Sequence, residues 1–293
     1  MLPRRLAVRL HTVRVGGIER TPPLTSCPSG LMYVGMVCHR DVRPWLVAVK
    51  SVAAMVGEGE FSVIDDGSLT AADRALLSMH LLGLHILALD DIPTNGFPRG
   101  NTWERLLAIL DWCRDRYVIQ VDADLVVRAP LPEVVEAVQA NRGFTFAGEP
   151  TARLKSLADA SEQARQANCD HVQFVAERQL IELPGAAAYR YVRGCSGFAG
   201  FPRGCGRADV AALSQFMQAQ LGTRWHEWGT EQAASNFVVA NSTDPVVLPW
   251  SRQVRDIAAS ALVHFVGTHR YENGLFTRTS QAAIKQLRQH QGQ

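Results

Sequence analysis

Lysine is almost missing from this chain. Only Lys50, Lys155 and Lys285 occur in 293 residues, so the positive charge is nearly all arginine. Arginine's planar fork suits phosphate oxygens, although codon bias produces the same composition. A surplus of either sign is missing as well: a formal net charge of +2 gives no bulk electrostatic support to a nucleic-acid partner. The six cysteines, at 27, 38, 113, 169, 195 and 205, show no CxxC spacing, which argues against a zinc knuckle and against a disulfide framework. No apolar run approaches the roughly 18 residues that a membrane span needs. The amino terminus carries no unbroken apolar stretch before a small-residue cleavage site, so a cytoplasmic location is the expectation. Two missing motifs narrow the field further. The first apolar run leads into Val37-Cys38-His39-Arg40-Asp41 without GxGxxG, which disfavours a dinucleotide-binding dehydrogenase, and the lack of GxxxxGK excludes a P-loop enzyme.

What is there reads as a folded α/β protein, with 47% hydrophobic and 20% charged residues, no repeat and no low-complexity tract. The first thirty residues set Arg4, Arg5, Arg9, Arg14 and Arg20 against Glu19 and end in a proline- and serine-rich stretch. They read as a basic, poorly ordered leader or edge hairpin, whose one membrane role would be peripheral contact with anionic lipid. From residue 31 a single domain of strands and helices is expected, 31–150 forming a nucleotide-binding half and 151–293 an acceptor-side half. Strands are expected at 31–39, 60–64, 85–89 and 117–121, and helices at 44–56 and 102–114, the latter capped by Asn101 with Glu104. Thr70 and Asp73 form a capping box for a helix between the second and third strands. That alternation implies a mostly parallel sheet flanked by helices, with ligands beyond the strands' carboxyl ends. The second half is less regular. It suggests a strand at 143–147, a long polar helical stretch at 152–180, a strand at 188–192, a glycine-rich loop Gly194-Cys195-Ser196-Gly197-Phe198, helices at 208–221 and 231–240, a strand at 261–267 and a closing amphipathic helix.

Asp122 and Asp124 directly follow the fourth strand. A side-chain period of two sends both carboxylates to one side, and paired anions persist there when a cation, alone or with a diphosphate, fills the gap. The bland alternative is a pair of solvated loop acids. Far along the chain stands His264-Phe265-Val266-Gly267-Thr268-His269-Arg270. A histidine at a strand end would be a third ligand, glycine would let phosphate approach the backbone, and Arg270 would fork onto phosphate oxygens. Two carboxylates and an imidazole suit manganese better than magnesium, which is the alternative ion.

Asp122-Ala123-Asp124 after a strand, followed at long range by His264-x-x-Gly267-x-x-Arg270, resembles the GT-A-fold glycosyltransferases, most nearly the retaining family eight of glycogenin-like and galactosyltransferase enzymes. The resemblance implies a Rossmann-like GT-A domain. It also implies a nucleotide-sugar donor of the UDP type, Mn2+ held by Asp122, Asp124 and His264, and phosphate contacts from Gly267 and Arg270. Arg270-Tyr271-Glu272 stands where that family usually has lysine, proline and tryptophan. Asp65-Asp66-Gly67-Ser68 is similar instead to inverting enzymes of the family-two type, whose acid meets the nucleoside; His39 and Asp41 would face the same base. Ser196 and Gly197 match the stretch lining the sugar site. Glu231 and Gln232 stand where such enzymes present an acid or amide to the reacting sugar: a general base at Glu231 would imply inversion, mere positioning would leave retention. The acceptor is open among carbohydrate, lipid-linked and protein hydroxyls. Two rivals accompany this reading. A haloacid-dehalogenase-like phosphatase would use Asp122 and Asp124 for phosphate chemistry, and a catalytically silent nucleotide-sugar binder would keep the site without turnover.

Overall fold

The computed structural model describes residues 4–249 and 260–289. In chain order it begins with α1 (Arg4–Arg14), β1 (Leu24–Thr25), β2 (Leu31–Val37), α2 (Val42–Val56), β3 (Glu60–Asp65), α3 (Ala71–His80), β4 (Leu81–Leu82) and β5 (His85–Ala88). Next come α4 (Trp103–Trp112), β6 (Tyr117–Val121), β7 (Leu125–Val127), α5 (Pro132–Gln139) and β8 (Phe144–Ala147). The chain continues through β9 (Lys155–Ser156), α6 (Leu157–Gln166), α7 (Val172–Gln179), β10 (Arg190–Tyr191), β11 (Gly194–Phe201), α8 (Ala208–Leu221) and α9 (Thr230–Ala240). It closes with β12 (Val246–Leu248), β13 (Leu262–His264) and α10 (Leu275–Gln289). Seven strands in the order β12-β8-β11-β6-β2-β3-β5 give the mostly parallel, helix-flanked sheet expected. The chain divides into two compact units, 1–89 with 119–135 and 251–293, and 90–118 with 136–250. No helix among the described residues is long and apolar enough to cross a membrane.

In the first unit β2 is buried almost throughout and runs parallel to β3 from Met32↔Glu60 to Val37↔Asp65, while β3 runs parallel to β5. The carboxyl ends of β2 and β3 therefore lie side by side, and the loops leaving them share one edge. Helix α2 covers this sheet with a continuous apolar face. Its Trp45 lies so close to β2 that a Cβ on Gly35 would sit 2.0 Å from the indole nitrogen, and that nitrogen donates to the Val121 carbonyl at 3.0 Å. Lys50 of the same helix is buried. Its Nζ donates to Thr21 Oγ1 and the Pro22 carbonyl and faces His80 Nδ1 at 2.9 Å, and burial lowers its pKa to about 8. The capping box at Thr70 and Asp73 forms as expected.

The basic first segment is a helix rather than a leader or hairpin. His11, Val15 and Ile18 recur at helical spacing and are buried, and a histidine at the first of these positions hides the apolar pattern from a reading by residue type. His11 stacks on Phe276 with ring centroids 4.0 Å apart and meets Thr277 Oγ1 at 2.9 Å, so α1 is fastened to α10.

The second unit departs from expectation in three places. Glu104 caps α4 differently: its Oε1 accepts from the Gly100 amide at 2.8 Å, while Asn101 donates to the His226 carbonyl. Thr102, at φ +75°, occupies the N-cap without its side chain accepting from a helix amide. The polar stretch is two helices, α6 and α7, because Ser156 and His171 each accept from a backbone amide two or three residues on and start separate helices. The glycine-rich segment is the strand β11, paired antiparallel with β8. Its glycines serve close packing, since a Cβ on Gly194 would lie 2.4 Å from Thr145 Oγ1 and one on Gly200 would lie 2.2 Å from the Phe144 ring.

Gly35→Ala is expected to destabilise by about 1–3 kcal/mol through overpacking against Trp45. Urea unfolding measures this, and a midpoint equal to that of the unaltered chain would show that the strand gives way without strain.

Candidate active site

Beyond Val121, whose carbonyl is held by Trp45, the chain turns through Asp122, Ala123 and Asp124 and re-enters a strand at Leu125. The two carboxylates thus converge through a turn and not through the alternation of a continuing strand. Strand β7 then pairs antiparallel with β13, setting His264 opposite Leu125, and the Phe265 amide donates to the Asp124 carbonyl at 2.9 Å. Residues 140 positions apart are thereby brought together. One ligand atom each from Asp122, Asp124 and His264 all lie within 4.8 Å of one another.

Asp124 is buried, with Oδ1 3.1 Å from His264 Nε2 and Oδ2 accepting from Arg270 Nη1. Burial alone would raise its carboxyl, but the neighbouring charges of His264 and Arg270 prevail and hold it below the usual carboxylate value. At Arg270 burial works against the charge, while Asp124, Tyr271 and Asp41 prevail and raise its pKa. Its Nε is buried without a hydrogen-bond partner among the described residues, so the guanidinium still has a donor to offer an anion. Gly267 has φ +89° and ψ −173°, a conformation that an L side chain rarely adopts, and apart from its chain neighbours no described residue stands within 4 Å of where its Cβ would be. Two carboxylates and an imidazole fit a divalent cation; an unsatisfied guanidinium donor and a bare backbone fit a phosphate.

The loops after β2 and β3 carry Asp41, Asp65 and Asp66. His39 is exposed; its amide donates to Ser68 Oγ, and its Nδ1 lies 2.6 Å from Asp73 Oδ2. Asp66 is exposed and accepts from the Ser68 amide and hydroxyl. Asp65 is buried, and both its oxygens are committed: Oδ1 to the Gly67 and Leu69 amides, Oδ2 to Arg74. It shapes the turn that presents Asp66 and Ser68. Asp41 accepts from Cys38 Sγ.

The second unit has its own buried polar cluster. Gly229, at φ +107°, begins α9, and Thr230 fixes that end by accepting from Trp103 Nε1 at 2.9 Å. Glu231 is buried, and its Oε2 takes Thr102 Oγ1 at 3.2 Å, Arg105 Nη2 at 3.3 Å and Ser196 Oγ at 3.4 Å. Gln232 Oε1 accepts from the Ser196 amide at 3.3 Å. So the structure brings Ser196, Glu231 and Gln232 together, while Gly197 lies in the same strand. Arg105 is not legible as a site residue from sequence; its signal is a guanidinium directly before the apolar run Leu106–Leu110 of α4.

No family model matches the chain, and no curated protein matches it in sequence. Among solved structures it is similar to the galactosyltransferase LgtC in complex with donor and acceptor sugar analogs. The identity is 16% and the TM-score 0.53, over 86% of this chain and 95% of that one. A structure of an active-site mutant of LgtC gives 14% identity and a TM-score of 0.54, over 87% and 95%. The fold is GT-A. The GT-A fold accords with the α/β architecture expected and leaves the haloacid-dehalogenase-like reading of Asp122 and Asp124 without structural support.

His11, beneath Arg270 in the same unit, yields a pH prediction. Burial, then the charge of Arg270, lowers its pKa from 6.5 to about 4. The folded chain holds it neutral, whereas the unfolded chain protonates it near 6.5. Its contribution is complete above that pH and is lost as pH falls from about 6.5 to about 4. His11→Phe is expected to flatten the dependence of Tm on pH across that window; an unchanged slope would remove His11 as its source.

Proposed function

We propose that this chain is a metal-dependent glycosyltransferase that moves a sugar from a nucleotide diphosphate sugar of the UDP type to an acceptor hydroxyl. The observation that carries the reading is the convergence of Asp122, Asp124 and His264 beside Arg270, whose Nε has no acceptor among the described residues. The GT-A fold, shared with a galactosyltransferase solved with donor and acceptor sugar analogs, supports it. In this reading Asp122, Asp124 and His264 hold Mn2+, with Mg2+ as the alternative, and the ion when bound neutralises charge on the departing diphosphate. Arg270 shares that work: one arm of its fork rests on Asp124, and its Nε donates to a phosphate oxygen. Gly267 lets the diphosphate lie against the backbone. His39, after β2, and Asp66, on the turn shaped by Asp65, face the nucleoside.

Ser196, Gly197, Glu231 and Gln232 serve the sugar. Glu231 Oε2 already accepts from three side chains, which suits it to holding the sugar-side groups in place more than to taking a proton. That favours retention, with the carboxamide of Gln232 as the group meeting the reacting sugar.

Mn2+ and UDP together, each near a hundredfold above Kd, are expected to raise Tm by roughly 5 °C or more, and more than the sum of either alone. Asp124→Asn is expected to abolish that shift and the Mn2+-dependent cleavage of UDP-sugars. Cleavage that persists undiminished in Asp124→Asn would sink the assignment. A cooperative shift with no UDP-sugar cleaved or transferred would favour a silent binder instead.

A further inference from the structure

We infer that Gln173 is a positioning residue that fixes which way the carboxamide of Gln232 points, an inference that rests on the sugar-side role proposed for Gln232. A carboxamide is nearly symmetric in shape, so packing alone cannot distinguish its oxygen from its nitrogen; only the sense of its hydrogen bonds does. Here that sense is set from both sides, on one by the Ser196 amide, which can only donate, and on the other, through Gln173, by a carboxylate. Glu177 is buried and held by Arg193, whose Nε reaches Oε2 at 2.9 Å and Oε1 at 3.1 Å and whose Nη2 also donates to Oε2. Arg193 is itself fixed by Glu149 Oε2 at 2.8 Å and by the ring of Phe174, 4.2 Å away. Tyr191 donates to Glu177 Oε1 at 3.0 Å.

A carboxylate so gripped accepts and does not donate. Gln173, buried one turn before Glu177 on α7, must therefore turn its NH2 toward Glu177 Oε1, at 3.4 Å. That leaves its carbonyl oxygen facing Gln232, whose Nε2 donates to it at 3.1 Å. Gln232 then has one remaining sense: its Oε1 points to the Ser196 amide, at 3.3 Å, and to Ser196 Oγ, at 3.5 Å. Donor and acceptor polarity thus passes from Glu177 through Gln173 to Gln232 without ambiguity. Without Gln173 the carboxamide loses the acceptor for its NH2 and is held in its sense from the Ser196 side alone.

The test uses the full chain with Mn2+ and UDP-galactose or UDP-glucose as donor probes. Gln173→Leu, of similar volume, is expected to lower kcat for donor cleavage about tenfold or more while KM changes by less than about twofold, the pattern of a lost transition-state contact. Gln173→Glu keeps an acceptor toward Gln232 and shares a proton with Glu177, so it is expected to recover kcat as the pH is lowered from about 8 to about 6. In protein labelled with 15N-glutamine, the side-chain NH2 pair of Gln232, identified by its loss in Gln232→Glu, is expected to move in Gln173→Leu. An unaltered kcat in Gln173→Leu, or an unmoved Gln232 signal, would overturn the inference and leave the proposed function standing. If the unaltered chain cleaves no UDP-sugar, the proposed function falls and takes the inference with it.

Discussion

Three backbone pairs between β7 and β13 carry the rest of this site. They are short strands, and their pairing has a consequence out of proportion to its length: it sets His264 beside the turn holding Asp122 and Asp124. The cost of placing acids and an imidazole together is carried by the packing around them. Val127 is tied to α2 through Ser51, Val121 is tied to the same helix through Trp45, and α10 follows β13 into the apolar bed under α1. Burial magnifies the outcome, because it opposes the charge of Asp124, and His264 and Arg270 outweigh it.

The second unit solves a different problem by different means. Its buried and half-buried polar groups, from Glu149 to Ser196, form a line in which each member has a partner of the right sense. Such a line favours one arrangement of near-symmetric side chains over alternatives of equal volume. Apolar packing alone has no way to make that choice.

Much of the sheet was legible in the sequence because it rests on short-range pattern. Buried parallel strands appear as apolar runs, and the boundaries expected for β2, β3, β5 and β6 lie within two residues of those observed. The Asp122, Asp124 and His264 set was legible as residue types at a strand end, but its geometry was not: the convergence depends on a turn and on pairing 140 residues away. His11 escaped notice because burial of a histidine follows from α10, which the local sequence does not reveal. The glycines of β11 read as loop residues, since close approach by Thr145 and Phe144 is a tertiary fact. Gln173 looked like an ordinary residue of a polar stretch, because hydrogen-bond sense leaves no periodic trace.

The three lysines noted at the outset divide sharply by access. Lys50 is sealed beneath α2, Lys155 is half-buried with its Nζ on Gln163, and Lys285 stands exposed on α10. Among side-chain amines, an acylating reagent therefore meets Lys285 first. Coupling this protein to a surface or a dye through its lysines would attach it largely at one defined point, on the helix that follows the His264 strand, and leave the arginines chemically untouched.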